Sequence, residues 1–408
     1  MTVHIANPES ALPAQVLSSS VCAGLTWQLH DSIEQAASVW RMLEDASQPK
    51  IFQTYAWVSI WWNSLGAAGD AQPRIVVGLL AGKPVVLVPL AVRQRYGVRQ
   101  LSWLGGKWSD YNAPVFSAEF ATLVSKASGS SAAGPLKQIW AEIAAAAGGA
   151  DYIELPRHAP AVNGGEPNPL FDPAAPLEDN AAHLLDLCGS EHEVMAALHG
   201  PKTWKGFSRK EKKLASLGKL AFTEMTDGML KARTIEQMLL WKRQELQERG
   251  ASNPFTSAAN VAFLANVARQ GPHLARVFAL TLDDAPVATA LCLADRENLL
   301  LYQTAYDREH GRNSPGALLF HKLIALAARE GYATFDLAFG DDAYKANLCN
   351  RTVTLSHASM PLTARGTLAC LAASARVAGR RTIKHNPALL RLAFRANRLL
   401  GGVRSASA

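Results

Sequence analysis

The apolar positions of this chain change period repeatedly, and each change marks an element. "VCAGLTWQL" from Val21 reads as a strand, and "DSIEQAASVWRMLEDA" after it spaces its apolar residues as a helix does. "TYAWVSIWWNSLG" predicts a Trp-rich helix ending at Gly66, and residues 74–93 a strand-turn-strand around Gly82-Lys83-Pro84. A loop at "KASGSSAAGP", a helix over "LKQIWAEIAAAAGG" and a short strand "DYIEL" complete the first half. Six prolines between 156 and 176 then mark a connection or excursion between halves.

The second half opens with the strand "HLLDLC" and a helix at 190–199. A basic helix "KTWKGFSRKEKKLASLG", the strand "KLAFTEM" and two long helices, about 229–249 and 257–270, come next. Three strands follow as a meander at 274–282, 286–294 and 299–306. A helix at 315–330, the strand "ATFDLAF" and a last strand "TVTLSHA" close the pattern. Two helices, a meander, a helix and a strand is the order of an α+β (mixed α/β) fold whose sheet opens in the middle.

With 408 residues the chain is too long for one core of ordinary size, so two domains are expected. The boundaries fall at 1–180 and 181–362, with a tail at 363–408. Seven of the ten tryptophans precede residue 110, which predicts a large aromatic core in the first half. "MTVHIANPES" lacks the basic start and apolar run of a signal peptide, and the longest apolar stretch is broken at Lys83-Pro84. A cytoplasmic protein is expected. Cys22, Cys188, Cys292, Cys349 and Cys370 are scattered without a C-x-x-C, and the eleven histidines show no ligand spacing, so no metal site is expected. Charge is informative by position. Eleven of the 41 basic residues follow Asp342 and no acidic residue does, so the remaining 30 face 34 acidic ones. The basic balance belongs to the tail.

Candidate chemistry gathers at "AYDREHGRNSPGALLFHKL". Ser314 suits an N-cap, Pro315 the first helical position, and Gly316 omits a side chain where a ligand can approach the backbone. The free N–H groups of such a helix end favour an anion such as a pyrophosphate, with Arg308 and Arg312 beside it. Capping alone also accounts for Ser-Pro. The next strand, "YATFDLAF", runs into Gly340, Asp341, Asp342, Tyr344 and Lys345. Two diverging strands beside a phosphate-holding helix can accept a pantetheine arm, with the carboxylates and the phenol placed as base and acid. The plainer alternative is that Asp341 and Asp342 cap a turn and Tyr344 packs.

This order resembles the GNAT acyltransferase superfamily, in particular its CelD-like branch associated with cellulose and exopolysaccharide biosynthesis. The matching stretches are "FQTYAWVSIWW", "WLGGKWSDYNAPVF", "KTWKGFSRKEKKL", "YDREHGRNSPGALL" and "FDLAFGDDAYK", across about residues 25–360. The resemblance implies tandem GNAT-like domains, as in Fem-type aminoacyl transferases, each a mixed, mostly antiparallel sheet flanked by helices. It implies acetyl-CoA or another acyl-CoA as co-substrate in the second domain, and no metal. It places the pyrophosphate loop at Arg312, Asn313, Ser314, Pro315 and Gly316. Asp341 or Asp342 becomes the base and Tyr344 the acid. Asp110 and Tyr111 of "SDYNAP", with Lys345, contact the acceptor. The usual loop, Q/R-x-x-G-x-G/A, puts two residues between its first position and the first glycine, whereas three separate Arg312 from Gly316. "QRYGVR" at 94–99 nearly fits that loop but precedes no helix, so it reads as a hairpin turn, and the first half serves recognition without cofactor.

From Thr363 the tail has helical spacing broken near Pro387, with Leu389, Leu390, Leu392, Phe394 and Leu399 interleaved with Arg391, Arg395 and Arg398. Such a helix can lie on the anionic inner face of a membrane, pack its leucines on the body, or touch nucleic acid, the least favoured of the three. Three functions are therefore open. One is an acyl-CoA-dependent acyltransferase acting on an amine or hydroxyl of a small molecule or glycan precursor, the group transferred being other than aminoacyl. The second is a Fem-type transferase using aminoacyl-tRNA. The third is a non-catalytic accessory protein of polysaccharide biosynthesis.

Overall fold

Unbroken apolar runs such as Ile75–Gly78 and Val85–Val92 suit strands covered on both faces, and both runs are buried in strands. The structure is a computed structural model that describes residues 16–386, apart from 48, 129–132, 199–200, 252 and 343. The elements of the first half are β1 (Val16–Ser18), β2 (Leu25–His30), α1 (Ala37–Ser47), α2 (Tyr55–Trp61), β3 (Ala71–Leu80) and β4 (Lys83–Arg95). They continue with β5 (Val98–Trp103), β6 (Val115–Phe116), α3 (Ala118–Ser128), α4 (Ala133–Ala146) and β7 (Tyr152–His158). The second half holds β8 (Leu177–Asp186), α5 (Glu191–Leu198), α6 (Pro201–Ala215), β9 (Leu220–Met225), α7 (Gly228–Arg249) and α8 (Ala258–Ala268). Then come β10 (Ala275–Leu282), β11 (Ala285–Ala294), β12 (Asn298–Tyr306), α9 (Pro315–Arg329), β13 (Thr334–Phe339), α10 (Lys345–Leu348), β14 (Arg351–Pro361) and α11 (Ala364–His385).

All fourteen strands share one sheet, in the order β1-β2-β3-β4-β5-β7-β14-β8-β13-β12-β11-β10-β9, with β6 beside β4. Only two pairs on that path are parallel: β5 with β7 and β12 with β13. The two halves repeat one plan. Each is an antiparallel meander leading to a parallel pair, followed by one more strand. That last strand is exchanged. β8, which follows β7 in sequence, pairs with β13, while β14, which follows β13, pairs with β7; β8 and β14 then pair with each other. Residue 180, where the sequence puts the boundary, lies inside β8.

One apolar cluster crosses the junction: Trp40, Phe52 and Trp57 of the first half join Ile235, Phe263 and Leu264 of the second. Trp57 meets Phe263 and Tyr302 edge-on, at ring centroid distances of 5.5 and 5.3 Å. The proline-rich segment is ordered against the second half, where Asn163 Nδ2 donates to Asp295 and Gly164 N to Glu297. β8 starts six residues before the expected "HLLDLC", because its polar first half, "LEDNAA", is paired by β14. Of the tail, α11 is described, and its N-cap is Thr363. Residues 387–408, with Leu389 to Arg404, lie outside the described residues.

The exchanged strands are joined by charge. His357 on β14 lies 3.0 Å from Glu154 of β7 through Nε2 and 3.2 Å from Glu178 of β8 through Nδ1. These two carboxylates raise its pKa to about 9. A pKa raised on folding gives stability that is complete below the unfolded value, about 6.5, and is lost as pH climbs through 9. Denaturation midpoints should therefore fall between about pH 6.5 and 9. His357→Gln should flatten that slope, as chemical denaturation across this pH range will show.

Candidate active site

The open place in the sheet lies between β12 and β13. They pair only at Asn298–Leu300 with Thr334–Asp336. Beyond Leu300 that edge of β12 has no strand partner among the described residues. Both strands bulge at the split. On β12, Gln303 faces Leu291 and Leu301 faces Cys292, leaving Tyr302 as the extra residue. On β13 the register against β8 shifts between Asp336 and Phe339, and Ala338 takes a left-handed φ of 60°. A non-glycine residue there costs about 1–3 kcal/mol and persists only where its surroundings hold it. Here Asp336 Oδ1 accepts from Ala338 N at 2.7 Å, and Lys345 Nζ lies 3.4 Å from the Ala338 and Phe339 carbonyls.

Residues 108–112 of the first half hold the split open. Tyr302 Oη donates to Trp108 O at 2.8 Å, and Tyr111 Oη reaches both oxygens of Asp336, at 2.7 and 2.9 Å. Asp110 pairs with Arg157 at 2.8 Å, and that guanidinium lies 4.6 Å over the ring of Phe339. The same segment closes the corresponding gap in the first half. β5 and β7 part after Ser102–Glu154, and Asn112 bridges there to His158. Asn112 N donates to Arg157 O and Ala159 N to Asn112 O. The edge left free in the second half is filled in the first.

The opening leads into a cavity of about 880 Å³. Thr304, Ala305 and Tyr306 of β12 form one wall, and Ser314, Gly316, Ala317, Phe320 and His321 another. Lys242, Glu245 and Arg249 of α7, Phe207 of α6, Asp342 and Tyr344 complete it. Ser314 is at the N-cap of α9 but sits in the left-handed region (φ 51°) and makes no side-chain capping bond. Its Oγ instead accepts from Lys210 Nζ of α6, at 3.0 Å. The first-turn N–H groups of α9 are thus left with no side-chain cap, beside an ammonium. Gly316 makes room chiefly for Tyr306: a Cβ there would lie 3.1 Å from that ring. Tyr344 packs on Phe320 at a centroid distance of 5.2 Å, and burial, then the charge of Asp342, pushes its phenol up, so it keeps its proton.

The sequence-derived candidates divide. Ser314, Gly316, Asp342 and Tyr344 line the cavity, with Pro315 buried as the first residue of α9. Arg308 is ion-paired with Glu248 of α7, Arg312 is exposed outside the lining, and Asn313 is buried with Oδ1 lacking a hydrogen-bond donor. Asp341 accepts from Ala181 N and faces His183 Nε2 at 2.9 Å, on the β8 side. Asp110 and Tyr111 lie at the junction of the halves rather than in the lining. Burial raises Asp110 to about 6 against the pull of Arg157, and it raises Asp336 against Lys50 and Tyr111. Lys345 is buried beneath the β13 bulge, and desolvation lowers its pKa. Sequence reasoning missed Lys210, Phe207, His321 and Asp336. The basic helix around Lys210 was visible, but its contact with Ser314, 104 residues away, was not.

Residues 201–346 match the family described as Acetyltransferase (GNAT) domain. This segment, about a third of the chain, resembles an acetyltransferase (GNAT) domain. It contains every cavity-lining residue except Leu198 and Leu348. No curated protein matches the chain by sequence. Among solved structures, FemX superposes with a TM-score of 0.55 at 9% identity, covering 84% of this chain and 98% of its own. A conserved protein of unknown function from Bacteroides thetaiotaomicron VPI-5482 gives 0.51 at 10% identity, covering 81% and 99%. These likenesses show the fold alone. Among the described residues no group of His, Cys, Asp and Glu is arranged to hold a metal.

Removing the Tyr111 hydroxyl tests the strut. Tyr111→Phe leaves Asp336 a buried carboxylate with one donor fewer, and stability should fall by about 1–3 kcal/mol, read from urea denaturation.

Proposed function

We propose that the protein transfers an acyl group directly from acyl-CoA to an amine or hydroxyl acceptor, at the split between β12 and β13. The observation that carries this reading is the cavity itself. It joins the unpaired edge of β12 to the uncapped N-terminus of α9, with Lys210 beside it. These residues fit a thioester donor. The α9 N–H groups and Lys210 suit a pyrophosphate, and the β12 edge offers backbone hydrogen bonds to a pantetheine arm. A β12 N–H is placed to receive negative charge developing on the thioester carbonyl oxygen. The acceptor's lone pair forms the new bond to that carbon, its proton passing to Asp342 or to water. The carbon–sulfur bond breaks, and the sulfur takes the proton of Tyr344 Oη. In this reading residues 1–180 recognise the acceptor and 181–362 bind the donor. A glycan or exopolysaccharide precursor is the acceptor that the CelD-like resemblance suggests.

A second reading, an aminoacyl-tRNA-dependent transferase of Fem type, is favoured by one feature. α6 carries six basic residues and one acidic one, and it borders the cavity through Phe207, with Lys210 bonded to Ser314 of the cavity wall. Its polynucleotide would bind with steep salt dependence.

Calorimetric titration with acetyl-CoA separates the two. Micromolar binding is expected, abolished in Gly316→Trp, whose indole would collide with Tyr306 at the helix end, while the circular dichroism spectrum stays native. Unchanged binding in that variant would remove the donor from α9. Absence of acyl-CoA binding together with salt-sensitive tRNA binding would favour the second reading. Tyr344→Phe should lower kcat by about a hundredfold or more with KM little changed, measured as thiol release once an acceptor is found.

A further inference from the structure

α11 is fastened to the first half along one face. Thr363 Oγ1 donates to Asp151 at 2.7 Å and accepts from Gly366 N. Gly366 lies so close to the chain just before β7 that a Cβ would come within 1.7 Å of Asp151 O, and Cys370, one turn on, is buried. Among the described residues the opposite face has no such partner. Ala364, Leu368, Leu371, Ala372 and Ala375 are all exposed, Leu368 to 70% and Leu371 to 64%. At 3.6 residues per turn these positions form one stripe. Arg365 and Arg376, also exposed, flank it.

Charge decides what fits this stripe. Residues 363–408 contain nine Lys and Arg and no Asp or Glu. The rest of the tail, or α11 of a second copy, would bring charge of the same sign. A nucleic acid would neutralise the arginines but leave both leucines in water. An anionic lipid surface satisfies both, with phosphates at the arginines and apolar side chains at the headgroup boundary. No described helix is long and apolar enough to cross a membrane, so the contact is a surface one for this part of the chain.

We propose that α11 docks the protein on an anionic bilayer surface, with Leu368 and Leu371 inserted at headgroup level and Arg365 and Arg376 on lipid phosphates. The site is separate from the acyl-transfer cavity and does not depend on that reading.

Flotation of the full chain with vesicles tests it. The protein should float with mixed phosphatidylglycerol–phosphatidylcholine vesicles, should stay behind with pure phosphatidylcholine, and should be released by salt. Leu368→Glu with Leu371→Glu should weaken binding by about tenfold or more, because two apolar anchors are replaced by charges of the lipid's own sign. Arg365→Glu should weaken it by about fivefold or more. The melting temperature of the double leucine variant should match the parent, since both side chains are exposed, whereas Arg365→Glu also removes a positive charge acting on Asp151. Failure to float with anionic vesicles would overturn the proposal. So would full binding by the double leucine variant, which would move the contact to residues 387–408. Retention on tRNA that ignores both leucines, without vesicle binding, would assign the basic tail to nucleic acid instead.

Discussion

Two hydrogen bonds involving one short segment hold the sheet open between β12 and β13. Trp108 O receives the hydroxyl of Tyr302 on β12, and the hydroxyl of Tyr111 reaches Asp336 on β13. Adjacent strands left alone would continue to pair, because unpaired backbone groups inside a sheet are costly. The bulge at Tyr302 and the left-handed turn at Ala338 prevent this, and both are fixed by side chains that bond or pack on the first half. The segment 108–112 thus acts on both halves. Asn112 fills the gap beside β7, while Trp108 and Tyr111 stabilise the gap between β12 and β13. From one repeated plan come one closed cleft and one open cleft.

The charges around this segment belong to the same constraint. Asp336 is 2% exposed and Lys345 4%, depths at which an unpaired charge is expensive. Each is compensated locally. Asp336 has the Tyr111 hydroxyl and Ala338 N, with Lys50 5.0 Å above the Tyr111 ring, and Lys345 has two carbonyls and the charges of Asp342, Asp110 and Asp336. Breaking one partner would leave the other buried and uncompensated, which makes the junction stiff. The exchange of β8 and β14, joined through His357, prevents the halves from separating without breaking the sheet. The cavity, in contrast, is lined by more exposed groups such as Asp342 and Tyr306.

Local physics was legible in the sequence. The Ser-Pro-Gly junction does start α9, the meander 274–306 is β10 to β12, and "QRYGVR" is a hairpin turn at Tyr96-Gly97. What depended on contacts between distant residues was not legible. Ser314 looks like a capping residue, yet Lys210 draws its hydroxyl away and the backbone turns left-handed. Arg308 looks like an anion ligand, yet Glu248 takes it. Asp110 and Tyr111 are acceptor contacts by the family resemblance, and their bonds to Arg157 and Asp336, the second of which joins the halves, could not be read from the sequence. Asp336 is hidden in "FDLAF", where an acidic residue in an apolar strand was the only signal. The exchange of β8 and β14 leaves no trace in period or composition, since either strand could pair with its sequence neighbour.

Hydrogen exchange in the presence and absence of CoA tests the account most directly, because it reads backbone amides and needs no acceptor. Slower exchange is expected at residues 302–306 and at the first turn of α9, residues 316–318, with amides of β5 and β7 unchanged. Protection confined to the β5–β7 region, or none at the start of α9, would contradict a donor site at the split between β12 and β13.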